Sequence, residues 1–258
     1  YSRWKVGLAF WDRGEIGQAI HTMETSIRLA EAVGFLIPQT NTRTDLATLY
    51  ADLGAVERAL ETARAALSVA ETQEYADRAM ALAVLAHVHS LRGDITEAEA
   101  RIEAARRHPD RRAYPFTFIV SLLAESKLRL QQTDYERCLA VTDNLLTQSH
   151  QHGIRFYVPE ALCVKGNALL GLGREEAARE HLLEAQAEAE TLGSRRMLWR
   201  ILDALSRLES DPSRGAALRQ EARQVIRTIV GHIDQDDLRA SFLSSPDVRA
   251  AIRPLETA

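Results

Sequence analysis

Apolar residues recur along this chain at spacings of three and four, not at two. Leu46-Ala47-Thr48-Leu49-Tyr50-Ala51-Asp52-Leu53 and Ala59-Leu60-Glu61-Thr62-Ala63-Arg64-Ala65-Ala66-Leu67 are representative. That period belongs to helices with one apolar stripe; a half-buried strand would alternate. The helical stretches come in pairs joined by a short phrase. It reads Gly14-Glu15-Ile16-Gly17-Gln18-Ala19, then Gly54-Ala55-Val56-Glu57-Arg58-Ala59, and returns at Gly93, Thr133 and Gly173. The anchors are spaced by 40, 39, 40 and 40 residues. A fixed period in this range predicts a stacked array of helical hairpins rather than one globular core.

Each place in the phrase has a physical reason. The glycine closes the first helix in a left-handed conformation that other residues adopt only at a cost. The apolar residue two places on (Ile16, Val56, Ile95, Tyr135) packs back under the turn. The small residue five places on (Ala19, Ala59, Ala98, Cys138, Ala178) lets the two helices approach. Small residues recur in the flanks at Gly7, Ala47, Ala86, Ser126 and Gly166, and at Ser26, Ala66, Ala105 and Ala185, with Leu145 a departure. In the fourth unit Thr133-Asp134 stands at the anchor, where it is expected to cap the second helix by side-chain hydrogen bonds.

Small at the eighth place, bulky at the eleventh, Gly at the fifteenth, and Ala at the twentieth and twenty-seventh resembles the tetratricopeptide repeat. The usual unit of that family is about 34 residues. Units near forty are similar to the longer-helix version in the C-terminal helical regions of maltose-regulator-like activators and ATPase- or cyclase-coupled bacterial regulators. The resemblance implies an all-α fold, a right-handed α-α superhelix of about six helix-turn-helix units. Their approximate bounds are 1–34, 35–73, 74–108, 113–153, 154–193 and 194–232, with a C-terminal helical cap over 233–258. The sixth unit is degenerate: Asp211-Pro212-Ser213 replaces the glycine turn, and Pro212 suits the first position of the next helix. The cap is expected to shield the last apolar face.

Composition fits a helical protein, with 13 Gly and 7 Pro among 258 residues. A net charge of −4 argues against direct nucleic-acid contact. Cys138 and Cys163 stand at helical core positions and read as buried free thiols. No apolar run approaches the ~20 residues that span a membrane. With no signal peptide either, the chain reads as cytoplasmic. It opens on Tyr1 rather than Met and enters a helix directly, which reads as a C-terminal piece of a larger protein. Trp4, Phe10 and Trp11 then form an exposed apolar edge left by a missing upstream repeat, or Trp11 packs beneath the first turn.

Most candidate chemistry fails on geometry. His87 and His89, two apart on a helix, diverge by about 200°; His89 is a core position. His150 and His152 lie at a helix C-terminus, where histidine complements the dipole. No cluster completes a zinc site, and no phosphate loop or nucleophile elbow is present. The chain therefore reads as non-enzymatic, without cofactor or metal. Arg106, Arg107, Arg111 and Arg112 fall in one basic loop over residues 106–115, a charged linker or a seat for an acidic partner or a phosphate.

The resemblance also implies a ligand groove lined by the first helix of each unit. Its inward places carry over to Trp4, Leu8 and Trp11; Asn41, Thr44 and Thr48; Ala83, His87 and Ser90; Leu123 and Lys127; Glu160, Cys163 and Asn167. Thr48, His87, Lys127 and Asn167 form a polar stripe suited to an extended peptide backbone. The two-Lys, Asn clamp that grips C-terminal carboxylates in chaperone-cofactor repeats is absent, so that ligand is not expected. A protein- or peptide-binding module of a larger regulator and a self-association scaffold are the two functions this pattern allows.

Overall fold

The computed structural model describes residues 2–72, 77–112 and 114–253, apart from the side chains of Ser2, Asp110 and Arg111. Tyr1, residues 73–76, Ala113 and residues 254–258, assigned above to units one to four and the cap, lie outside them. The chain is an α-solenoid, and among the described residues it has no strand. Six helical hairpins follow one another: α1 (Ser2–Asp12) with α2 (Ile16–Ala32), α3 (Leu36–Asp52) with α4 (Val56–Glu71), and α5 (Arg78–Arg92) with α6 (Ile95–Arg107). A 3-10 turn at Pro109–Arg112 leads into α7 (Pro115–Gln131) with α8 (Tyr135–Gln151). Then come α9 (Val158–Gly171) with α10 (Glu175–Leu192), α11 (Arg195–Leu208) with α12 (Pro212–Val230), and the short α13 (Asp236–Ser244) and α14 (Pro246–Ile252).

The turns follow the helix-closing logic of the repeated phrase. At Gly14, φ is 74°, its amide donates to Trp11 O and the Glu15 amide to Phe10 O, both at 2.9 Å. These bonds satisfy carbonyls that the end of α1 leaves open. The fourth unit departs from expectation. Thr133 itself takes the left-handed conformation (φ 58°), and neither its side chain nor that of Asp134 caps α8. The turn keeps the glycine geometry without the glycine, because only that geometry lets the Asp134 amide reach Arg129 O at 3.0 Å.

Small residues set how closely paired helices approach. Ala19, Ala59, Ala98, Cys138 and Ala178 are fully buried. A Cβ at Gly166 would stand 2.6 Å from Leu182 Cγ, so the α9–α10 crossing has no room for one. Pro115 and Pro212 occupy the first turns of α7 and α12, where the missing N–H loses no bond, and the Asp211 carboxylate accepts from the Ser213 amide.

The array curls until its sixth unit meets its first. The first helices of the hairpins (α1, α3, α5, α7, α9, α11) stand inside, each packed on the next, and α11 returns to α1. Ser194 Oγ donates to Asp12 Oδ1, Arg195 Nη1 donates to Arg13 O at 3.0 Å, and Ile229 of α12 lies against Gly14. One expectation is corrected here and another extended. Trp4 and Trp11 are not an exposed edge: they are 4% and 1% exposed, Trp11 lying under Arg196 of the returning sixth unit and against Phe156, Trp4 against Phe116 and Asp45, and Phe10 is half-buried. The cap does more than shield the last unit. It reaches back across the join, where His232 O accepts from the Gly17 amide at 2.8 Å and Gln235 accepts from Arg58 at 2.8 Å.

Ala178 is fully buried in the α9–α10 crossing. Ala178→Trp is therefore expected to overpack it and destabilise the chain by about 1–3 kcal/mol. A urea midpoint equal to the parent's would place Ala178 outside the helix contact.

Candidate functional site

With the inner helices drawn together, the axis fills with side chains. An aromatic column runs along it. Trp4 meets Phe116 edge-on with ring centroids 5.7 Å apart, Phe116 meets Tyr157 at 5.6 Å, Tyr157 meets Phe156 at 4.9 Å, and Phe156 meets Trp11 at 5.8 Å. Arg196 of α11 closes the column. Its guanidinium lies 4.7 Å from the Trp11 ring centre and 5.2 Å from that of Phe156. Such placement over aromatic faces is favourable for a planar cation, the more so away from water.

Arg196 is also an ionic hub. It is 3% exposed and faces Glu160 Oε2 at 2.7 Å, Asp12 Oδ1 at 3.5 Å and Asp52 Oδ2 at 3.6 Å. Lys127 Nζ pairs with the other oxygen of Glu160. Burial alone would raise the Glu160 carboxyl; Lys127 and Arg196 outweigh it and hold the group well below the usual carboxylate range. Burial would likewise lower Arg196, but Glu160, Asp52 and Asp12 reverse the sign. Asp12 is less well compensated, and burial raises it despite Arg196.

The structure brings the groove residues of the sequence analysis to this axis and packs most of them away. Leu8, Trp11, Leu123, Cys163, His87 and Glu160 are buried, as are Ala83 and Ser90. Asn41 and Thr44 are buried, and Thr48 is half-buried. Thr44 and Thr48 donate to carbonyls of their own helix, Asn41 O at 2.7 Å and Thr44 O at 2.9 Å. Lys127 and Asn167 are half-buried, and Asn167 Nδ2 donates to Cys163 O at 2.8 Å. Of the polar stripe, Thr48, Lys127 and Asn167 thus spend their polar groups within the protein, while Nδ1 of the buried His87 has no hydrogen-bond partner. Arg196, Asp12, Asp52, Phe116, Phe156 and Tyr157 escaped the sequence reading. The partner of Arg196 at Glu160 stands 36 residues away, and no local pattern announces it.

Arg106 and Arg107 of the basic loop pair with Glu103, while Arg112 lies over the Phe118 ring at 5.7 Å; the Arg111 side chain lies outside the described residues. His89 is buried, with Nδ1 3.3 Å from Asp94 Oδ2. Cys138 and Cys163 are free, their thiols pushed up by burial to about 11 and about 12, so neither is a ready nucleophile. Among the described residues no group of three His, Cys, Asp or Glu is placed to hold a metal ion.

One part of the inner wall stays open. Where α3 and α7 begin, a pocket of about 350 Å³ is lined by Trp4, Ile37, Asn41, Tyr114, Phe116 and Ile154, among others. Tyr114 is half-exposed at its rim. Trp4, at the head of the aromatic column, is also its wall. The pocket is mostly apolar, in the way of sites that seat a side chain or small ligand.

These features define a class: an α-solenoid of helical hairpins curled onto a self-packed axis. Residues 159–190, covering α9 and most of α10, match the family model described as tetratricopeptide repeat. That match supports the tetratricopeptide family. The crystal structure of BtubC (BKLC) from P. vanneervenii has a similar fold, with a TM-score of 0.58 over 86% of this chain and 93% of that one, at 17% sequence identity. Comparison with curated proteins found no match.

Beneath the pocket, Trp4 Nε1 donates to Asp45 Oδ2 at 2.5 Å. Burial holds the Asp45 carboxyl up at about 7, against the lowering pull of Trp4 and Arg196, and the buried Tyr157 shares its surroundings. An unfolded aspartate titrates near ~3.9. This contribution to stability is therefore present at low pH and lost as pH rises toward 7. His87 behaves oppositely. Burial, and Lys127 beside it, hold it down at about 3. Against an unfolded value of ~6.5, its contribution is present at neutral pH and lost as pH falls. The two slopes, each about 1.4 kcal/mol per pH unit, oppose one another between pH ~4 and ~6.5. Asp45→Asn is expected to expose the histidine slope, with stability falling in acid. His87→Gln is expected to expose the aspartate slope. Urea titrations across this range measure both; profiles parallel to the parent's would contradict the assignment.

Proposed function

We propose that the chain is a non-catalytic module that binds a protein or peptide partner, within a larger cytoplasmic bacterial regulator of signalling or transcription. Tetratricopeptide repeats generally mediate protein–protein interaction, and the match over residues 159–190 supports that role here. Among the described residues no helix is long and apolar enough to cross a membrane. The observation that carries the reading is the pocket at Tyr114. It is the accessible stretch of a wall whose remaining groove positions are largely packed. An apolar side chain of an extended partner fits its volume and lining. The upstream domains, the partner's identity and the absence of nucleic-acid and membrane contact belong to this proposal.

A second reading, self-association, draws on a different surface. Leu29, Val33 and Phe35 are 53%, 74% and 53% exposed around the end of α2, three large apolar side chains within seven residues of chain, and contiguous exposed apolar patches mark interaction surfaces.

Peptides selected from a random library on the parent protein test the first reading. They are expected to share a bulky apolar residue and to lose at least about tenfold in affinity for Tyr114→Arg, the loss of one anchor contact. They should bind Leu183→Arg, altered on the outer helix α10, as they bind the parent. Equal affinity for both variants would remove the pocket from the interface. Sedimentation of the parent and of Val33→Asp tests the second reading, which requires an assembly that Val33→Asp dissolves.

A further inference from the structure

The Tyr114 pocket opens where the first turns of α3, α5 and α7 meet. Three aromatic rings, Trp4, Tyr114 and Phe116, stand in its lining with Ile37 and Ile154. Trp4 is fixed by its bond to Asp45, and Phe116 by its contacts with Trp4 and Tyr157. The aromatic wall is therefore pre-organised, and little of it is left to order when a group enters. A ring suits such a wall, because aromatic pairs with centroids roughly 4.5–7 Å apart gain more than their buried area.

The same lining holds a carboxylate. Asp77 stands at the N-cap of α5, 6% exposed, and accepts from Thr117 Oγ1 at 2.7 Å. A carboxylate offers about four acceptor positions, so Thr117 does not exhaust it. Among the described residues no Lys or Arg lines the pocket, and Asn41 Oδ1 in the same wall accepts no hydrogen bond. An occupant that fills the pocket takes water from Asp77 and must return a donor, or the carboxylate is left short of a hydrogen bond. A leucine or phenylalanine side chain has none to give. A lysine or arginine has donors but must surrender a full hydration shell to walls that are mostly apolar. A tyrosine or tryptophan suits both parts of the wall, with a flat apolar body and a single O–H or N–H at its edge.

We propose that the partner residue seated in this pocket is a tyrosine or tryptophan whose O–H or N–H donates to the Asp77 carboxylate. The inference rests on the reading that the Tyr114 pocket binds the partner, and it specifies which bulky side chains that pocket accepts. A site built to hydrogen-bond a side-chain O–H rejects the analogue lacking it far more strongly than an apolar pocket rejects one missing methylene.

Peptides selected from a random library on the parent protein supply the probe. Their shared residue is expected to be Tyr or Trp. Replacing it by Phe, or by benzothienylalanine (a tryptophan isostere without the N–H), should weaken binding in calorimetry at least about tenfold, the loss of a hydrogen bond to a charged group. On Asp77→Asn, which keeps an acceptor for Thr117 and removes the charge, that penalty should shrink severalfold, because a neutral acceptor bonds more weakly. A penalty absent on the parent, or undiminished on Asp77→Asn of parental helicity, overturns the proposal. So does a shared aliphatic, Phe, Lys or Arg residue. Each of these results leaves the pocket in the interface as long as Tyr114→Arg weakens the same peptides, whereas peptides indifferent to Tyr114→Arg bring down both. If Asp77→Asn does not fold, the comparison of anchors on the parent still decides.

Discussion

Everything inside the ring is arranged around the burial of Arg196. A guanidinium taken out of water is tolerable only where carboxylates and aromatic faces replace its hydration. Here the carboxylates come from three different units: Asp12 from the first, Asp52 from the second and Glu160 from the fifth. Apolar packing alone is non-directional and would accept several curvatures of the same hairpins. Ion pairs and hydrogen bonds are not so permissive, and they select the curvature at which unit six meets unit one. Lys127 completes the balance by sharing Glu160. The axis is therefore a polar lock set within an aromatic column.

What the amino-acid pattern disclosed, and what it hid, divides along the same line. Helices, hairpins and turns follow from local rules: a stripe at three and four, a left-handed closing residue, a small residue at the crossing. Thr133 shows the limit even there, because the turn imposes its geometry on a residue that does not favour it. Curvature is another matter. It accumulates from a small rotation at every unit, which depends on side-chain volumes at many contacts and leaves no mark on the period. The phase of the repeat identified which residues face inward. It carried no information on whether that inner face would stay open. Trp4 and Trp11 look like an abandoned edge in one dimension and become buried aromatics of the axis in three.

The basic loop teaches a related lesson. Its arginines are the loudest feature of the segment, yet Arg106 and Arg107 are engaged by Glu103 on their own helix. The open surface nearby belongs to Tyr114 and Phe116, which read as an unremarked lead into α7. Charge density in a sequence counts ions without subtracting their partners. An apolar residue at a helix start gives no hint of being half-exposed until its neighbours are placed.

The return of α11 to α1 also changes how the molecule assembles. An open solenoid folds and frays as a one-dimensional stack, in which any unit can nucleate and the two ends are the weak points. Joining Asp12 to Ser194 ties residues 182 apart in the chain, a contact whose loop-closure entropy must be met before it rewards folding. A chain leaving the ribosome can stack its early hairpins as they appear, but Trp11 waits for Phe156 of the fifth unit and Arg196 of the sixth to cover it. Among the described residues the first and sixth units cover one another, as units so far apart in an open stack cannot.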